Sequence, residues 1–175
     1  MNNNNPTNRE ANDMPEYLKR TPELFVRVGN RVIEAPAEDR MVAQHYPSWP
    51  HKGSLIDSKR LTILTKQTTY RPNEEIRVVH VVEYTAPGND VYVMGPKPVY
   101  GEYVDGQLST AMAPTIDPLV PQDYDGVTLE SPAVDYNYEI TTYTFALPGT
   151  HQIYWDLGTL RSNVLTLEIA PANAR

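Results

Sequence analysis

The chain has 175 residues, no cysteine, 40% hydrophobic and 21% charged residues, and a formal net charge of −7. That length suits one domain with an accessory segment, and no apolar run approaches the roughly 20 residues that cross a bilayer, which argues against a membrane protein. Without cysteine there are no disulfide staples, thiolate metal sites or cysteine nucleophiles, and the acidity disfavours nucleic acid, whose phosphates require clustered Lys and Arg.

The chain opens on an Asn-rich stretch, residues 1–15, which lacks large apolar groups and reads as a disordered tail. Its first ten residues have neither the basic nor the apolar region of a secretory signal, so the expected compartment is the cytoplasm, although a mature secreted chain would look the same. Asp13 as a cap and Pro15 in the first turn predict a short helix over residues 14–21. Leu24-Phe25-Val26-Arg27-Val28 and Arg31-Val32-Ile33-Glu34 flank Gly29-Asn30, a two-residue turn with glycine first, and predict a tight hairpin. Residues 35–58, with Pro36, Pro47, Pro50 and Gly53, read as a wrapping connection whose Tyr46 and Trp49 pack on the domain surface. Residues 16–58 thus form the accessory segment and residues 59–171 the main domain.

Strands follow at residues 61–67, 75–84, 91–94, 136–147, 152–157 and 164–169. The second carries Ile76, Val78, His80, Val82 and Tyr84 on one face and Val79 and Val81 on the other, so it is expected to be central and covered on both sides. In the last, Leu165, Leu167 and Ile169 are expected to face the core. Short strands with frequent turn residues and no amphipathic helix between them indicate an all-β sandwich or barrel. Tyr70-Arg71-Pro72-Asn73-Glu74-Glu75-Ile76, the Leu147-Pro148-Gly149-Thr150 turn and Ser162-Asn163 before the last strand resemble bacterial immunoglobulin-like and macroglobulin-type domains over residues 61–170. The resemblance implies an immunoglobulin-like β-sandwich, carrying here an N-terminal hairpin extension and one long inserted loop. Asn73 stands where that pattern has glycine, and Asn tolerates the left-handed conformation better than most residues.

No G-x-S-x-G, S-x-x-K, G-x-G-x-x-G or phosphate-cradling loop is present, which argues against an enzyme or a nucleotide-binding protein, and no cofactor is expected. His45 and His51, on the proline-rich connection, are a possible metal pair, and Asp123, Asp125 and Glu130 around Gly126 are a weak calcium candidate. His80 is expected to be a hydrogen-bonded core histidine.

Residues 99–135 are the anomaly. A sandwich does not need about 35 residues between strands, and loops beyond roughly 15 residues are usually functional or disordered. From Pro98 to Leu160 there is no Lys or Arg but nine acids, whereas residues 1–97 hold 13 basic and 12 acidic side chains. The insertion combines this acidity with tyrosines and four prolines, the composition of a recognition loop; its bland alternative is a cover over an open face, with an extra strand at residues 101–108. The leading expectation is a non-enzymatic protein-interaction or structural-assembly module. Tyr100, Tyr103 and Tyr124 would serve as anchors, and Asp117, Asp123, Asp125 and Asp135 would steer a basic partner. Two alternatives stand beside it. One is a protease inhibitor presenting loops to an active-site cleft, as some small cysteine-free immunoglobulin-like domains do; Asn5-Pro6-Thr7 resembles the chagasin-type motif, but it lies in the tail and lacks the following Thr-Gly. A carbohydrate-binding module would stack sugars on Trp49 and Trp155, although Trp155 alternates with Ile153 and so also reads as core.

Overall fold

The computed structural model describes residues 13–173; of the tail expected over residues 1–15, residues 1–12, with Asn5-Pro6-Thr7, lie outside them. In chain order the elements are β1 (Phe25–Val28), β2 (Arg31–Glu34), α1 (Ala37–Gln44), β3 (Lys59–Leu64), β4 (Thr69–Tyr70), β5 (Ile76–Tyr84), β6 (Asp90–Tyr92), β7 (Glu102–Val104), β8 (Gln107–Leu108), β9 (Thr128–Glu130), β10 (Ala133–Asp135), β11 (Thr141–Tyr143), β12 (Gly149–Leu157), β13 (Leu160–Arg161) and β14 (Leu165–Ile169). The chain is mostly β-strand in several sheets, with one short α-helix, and no described helix is long and apolar enough to cross a membrane.

Two sheets enclose the main core. In the first, β5 pairs antiparallel with β3 along one edge and with β10 and β11 along the other. In the second the order is β4-β14-β12-β7-β8, with β13 also on β12 and only β4–β14 parallel. Alternation decides which side chains meet: Leu165, Leu167 and Ile169 of β14 and Ile153, Trp155 and Leu157 of β12 are buried, while Thr166 and Glu168 between them are exposed. They pack against Leu61 and Ile63 of β3 and Ile76, Val78 and Val82 of β5. Burying such side chains contributes about 1.5–3 kcal/mol each.

The far face of β5 is covered as well, by the N-terminal segment. Leu18, Leu24, Ala35, Val42, Ala43 and Tyr46 close over Val79 and Val81 in a second core. Every residue of β5 except Arg77 is buried, as its two apolar faces predict. The polar residues this strand brings inside are therefore paired. Glu83 accepts hydrogen bonds from Tyr17, from Tyr46 and from Arg60 Nε (2.9 Å). Arg77 makes a forked bond to buried Asp39 of α1, with Nη2 2.8 Å and Nε 3.0 Å from the two carboxylate oxygens. Burial pushes the Glu83 carboxyl up, and the bonds and charge of its three donors more than offset this, holding it below the ordinary carboxylate range.

Several local expectations are corrected. Residues 14–21 form only a 3-10 turn, Glu16–Leu18, with no side-chain cap bond. Pro22 keeps Thr21 out of the helical region, and the turn instead delivers Tyr17 to Glu83 and buries Leu18. The connection read as irregular contains α1, whose two turns show only Val42 and Ala43 as buried apolar residues, too few for a visible periodicity. Of the expected strand over residues 136–147 only β11, Thr141–Tyr143, is a strand, and it follows β10 along the same edge of β5. Between them the chain turns aside to Lys97, whose N–H reaches Asn137 O (2.9 Å) and whose C=O accepts from Glu139 (2.8 Å). The N-terminal hairpin is as expected, with Gly29 at φ +60° in the turn, and Asn73 does adopt the left-handed φ of +62°.

Tyr46→Phe leaves buried Glu83 one donor short and is expected to lower unfolding stability in urea by about 1–3 kcal/mol, whereas Met41→Ala, on the exposed side of α1, is expected to stay within about 0.5 kcal/mol.

Candidate functional site

Residues 99–135 fold as an ordered insertion rooted in both sheets. Its first half is a hairpin, β7–β8, that extends the second sheet through β7–β12 pairing; this is the extra strand expected at residues 101–108, doubled. Gly101 admits no side chain, because a Cβ there would lie 2.0 Å from Asp156 O and its φ is +74°. The second half runs through a proline-rich loop to β9, which pairs with β6, and ends in β10 on the first sheet.

The root of the hairpin is Glu102, fully buried between the sheets. One carboxylate oxygen meets His80 Nε2 of β5; the other accepts hydrogen bonds from Thr141 Oγ1 and Tyr143 OH of β11, both at 2.5 Å. His80 lies edge-on to Trp155, ring centroids 5.0 Å apart. His80 is thus the hydrogen-bonded core histidine anticipated. Burial pushes the Glu102 carboxyl up, while the charge and bond of His80 and the two hydroxyls hold it below the ordinary range. Nothing in the sequence isolated Glu102: it is one acid among nine in the same stretch, and only the pairing of β7 with β12 turns it inward.

The seven residues expected to bind a partner do not form one surface. Asp135 is corrected outright. It is buried and paired with Lys97, Nζ–Oδ2 3.0 Å, and also accepts from Asn137 N–H, so it cannot steer a partner from the rim. Burial pushes Asp135 up and Lys97 down, the acid's shift being countered in part by Lys97 and Asn137. Tyr100 packs against the main core, and its carbonyl accepts the Trp155 indole N–H at 2.7 Å. Trp155, fully buried, offers no face to a sugar. Tyr103 stacks on Tyr154, centroids 5.0 Å apart and rings 9° from parallel, and Arg161 lies over the Tyr154 ring. Tyr124 is a brace: its hydroxyl donates to Val127 O and accepts from Met94 N–H (3.1 Å).

Asp117, Asp123 and Asp125 are exposed and in no ion pair among the described residues. Asp117 shapes its own turn, its Oδ1 accepting Leu119 N–H at 3.1 Å and its C=O accepting Val120 N–H at 3.2 Å. Leu119 is buried in the main core, yet Ile116, three residues earlier, is fully exposed, and Met112, Val120 and Val127 are exposed too. Among the described residues no group of three or more His, Asp or Glu side chains is placed to hold a metal ion, so neither Asp123, Asp125 and Glu130 nor His45 and His51 belong to such a group. No protein-family model, curated protein or solved structure matches the chain.

The depressed Glu102 carboxyl sets an acid dependence. A folded-state value below the unfolded one contributes stability that is complete above the unfolded carboxylate range and lost as the pH falls toward the folded value. Urea unfolding of the native chain from pH 7 to pH 3 is expected to lose stability through that window, and Glu102→Gln to show a lower stability at pH 7 with a shallower decline.

Proposed function

We propose that this chain is a non-enzymatic protein-interaction module, an immunoglobulin-like sandwich whose insertion presents an acidic surface with uncovered apolar side chains to a basic partner. The observation that carries this reading is the contrast inside the insertion. A segment that merely roofed the core would bury its apolar residues, but the outer part of this one, residues 112–127, buries Leu119 and leaves Met112, Ile116, Val120 and Val127 outside. The loop is not slack either. The Asp117 turn, the buried Leu119 and the Tyr124 hydroxyl fix its course, so the entropy lost on binding is small and the apolar contact is correspondingly effective.

Along the insertion itself the charge is of one sign, since Asp117, Asp123 and Asp125 are in no ion pair among the described residues and no Lys or Arg occurs between Pro98 and Leu160. A uniform acidic field accelerates encounter with a basic surface. Ile116, projecting from a proline-flanked turn, is the natural anchor for a partner's apolar pocket. The same surface serves equally a partner in solution or a neighbouring subunit of an assembly.

A partner recovered with the native chain is to be purified and its association followed by surface plasmon resonance. Replacing Asp117, Asp123 and Asp125 with Asn is expected to slow association and flatten its salt dependence while leaving the melting temperature unchanged. Ile116→Asp is expected to speed dissociation by about tenfold or more. Binding that survives both sets of changes would sink the reading.

A further inference from the structure

The N-terminal hairpin carries a second recognition feature, which shares Val127 with the insertion surface but not Ile116, Asp117, Asp123 or Asp125. A two-residue turn makes Val28 and Arg31 the first hydrogen-bonded pair, and the Ala35 N–H to Leu24 O bond of 2.9 Å continues the same alternation at the other end. Arg27 and Val32 are therefore a non-hydrogen-bonded pair, and the N–H and C=O of Val32 point away from β1. They have no partner among the described residues; the same holds for Glu34. β2 is exposed along its whole length. It has no Lys, no Pro and no bulge, and its charges sit only at its ends, so it lacks most devices by which proteins blunt a strand edge.

The side chain of Val32 lines a cavity of about 800 Å³. Phe25 of β1 lines it from the same hairpin, with Met94, Val127, Leu129 and Val134 as further apolar lining and Arg20 and Glu23 as its charged residues. Asn137 also lines it. That side chain is buried; its Nδ2 donates to Val93 O at 2.6 Å, but its Oδ1 has no donor. A free strand edge, an apolar groove on the face of that strand and an acceptor lacking an N–H together ask for an extended backbone with apolar side chains on alternate residues.

We infer that β2 is a strand-addition site for an extended segment of a partner protein, whose backbone pairs with Val32 and Glu34 and whose alternate apolar side chains enter the groove. A second copy of this chain fits less well. Two-fold pairing of β2 with itself brings residues of the same face together, so that Arg31 meets Ile33 or Val32 meets Glu34, and no charged pair forms. A simple amphiphile fits the walls but brings no series of N–H and C=O groups for the edge.

The test uses a phage-displayed random peptide library selected on the full chain, followed by synthesis of the recovered peptides. Val32→Pro removes the outward N–H while leaving the Arg27 pairing intact, a position where an edge strand tolerates proline. Peptides with alternating apolar residues are expected to bind the native chain. Affinity is expected to fall about tenfold or more, 1.4 kcal/mol, both with Val32→Pro and with peptides N-methylated at single positions, and to be unchanged by Ile116→Asp. If Val32→Pro fails to melt as the native chain does, the N-methylated series decides alone. The inference is overturned if no peptide is selected, if N-methylation at every position is harmless, or if sedimentation shows self-association that Val32→Pro abolishes. Peptides that depend on Ile116 and not on Val32 would instead belong to the insertion surface.

Discussion

The whole arrangement depends on β5 having no solvent face. A strand buried on both sides must pair the charged groups it brings inside, because an unpaired buried charge costs several kcal/mol. β5 brings two inside, His80 and Glu83, and its half-buried Arg77 meets a buried acid. Each is answered from a different part of the chain: Arg77 by Asp39 of α1, His80 by Glu102 at the root of the insertion, Glu83 by Tyr17, Tyr46 and Arg60. Removing one partner strands the other, so these contacts bind the accessory segment and the insertion to the sandwich far more specifically than apolar contact does. They need not add net stability over an apolar replacement; what they fix is which segment lies over which face.

The same logic explains what was legible in the sequence. Period-two alternation in Leu165, Leu167 and Ile169, the apolar run of β5, the Gly29-Asn30 turn and the left-handed Asn73 are all local signals, and all lead to the observed local structure. Failures occur where tertiary pairing overrides local preference. The β-rich stretch over residues 136–147 reads as one strand, but Lys97 captures its start through two backbone bonds, and Tyr136, Asn137 and Tyr138 are buried in succession there. Likewise α1 is too short to announce itself, and its placement is set by Asp39 reaching Arg77 rather than by an apolar stripe.

Charge was the least legible property. The nine acids between Pro98 and Leu160 look alike in sequence, but Glu102 and Asp135 are buried partners of His80 and Lys97, while Asp105 is bound to His151 (2.6 Å) and Asp156 to Arg161 (2.7 Å). Acidity counted along the chain therefore overstates the field at the surface. What is left for long-range attraction is a smaller set in which Asp117, Asp123 and Asp125 of the insertion are prominent, and it coincides with the exposed apolar residues.

That coincidence separates two uses of one insertion. Its root residues, Glu102 and Asp135, sit on β7 and β10 and are consumed in holding the sheets, so changes there act through stability. Its crest, from Met112 to Val127, touches the core chiefly through Leu119 and can vary without unfolding the domain. Such a division, rigid root and free crest, lets the crest residues vary while the fold is kept. The hairpin edge at β2 shows the same economy in a different form: its apolar side chain faces a groove and its outward backbone groups have no partner among the described residues. In both places the chain has rigidified the backbone first and left a small number of apolar and polar groups uncovered, and a low ordering cost on binding follows from that order of construction.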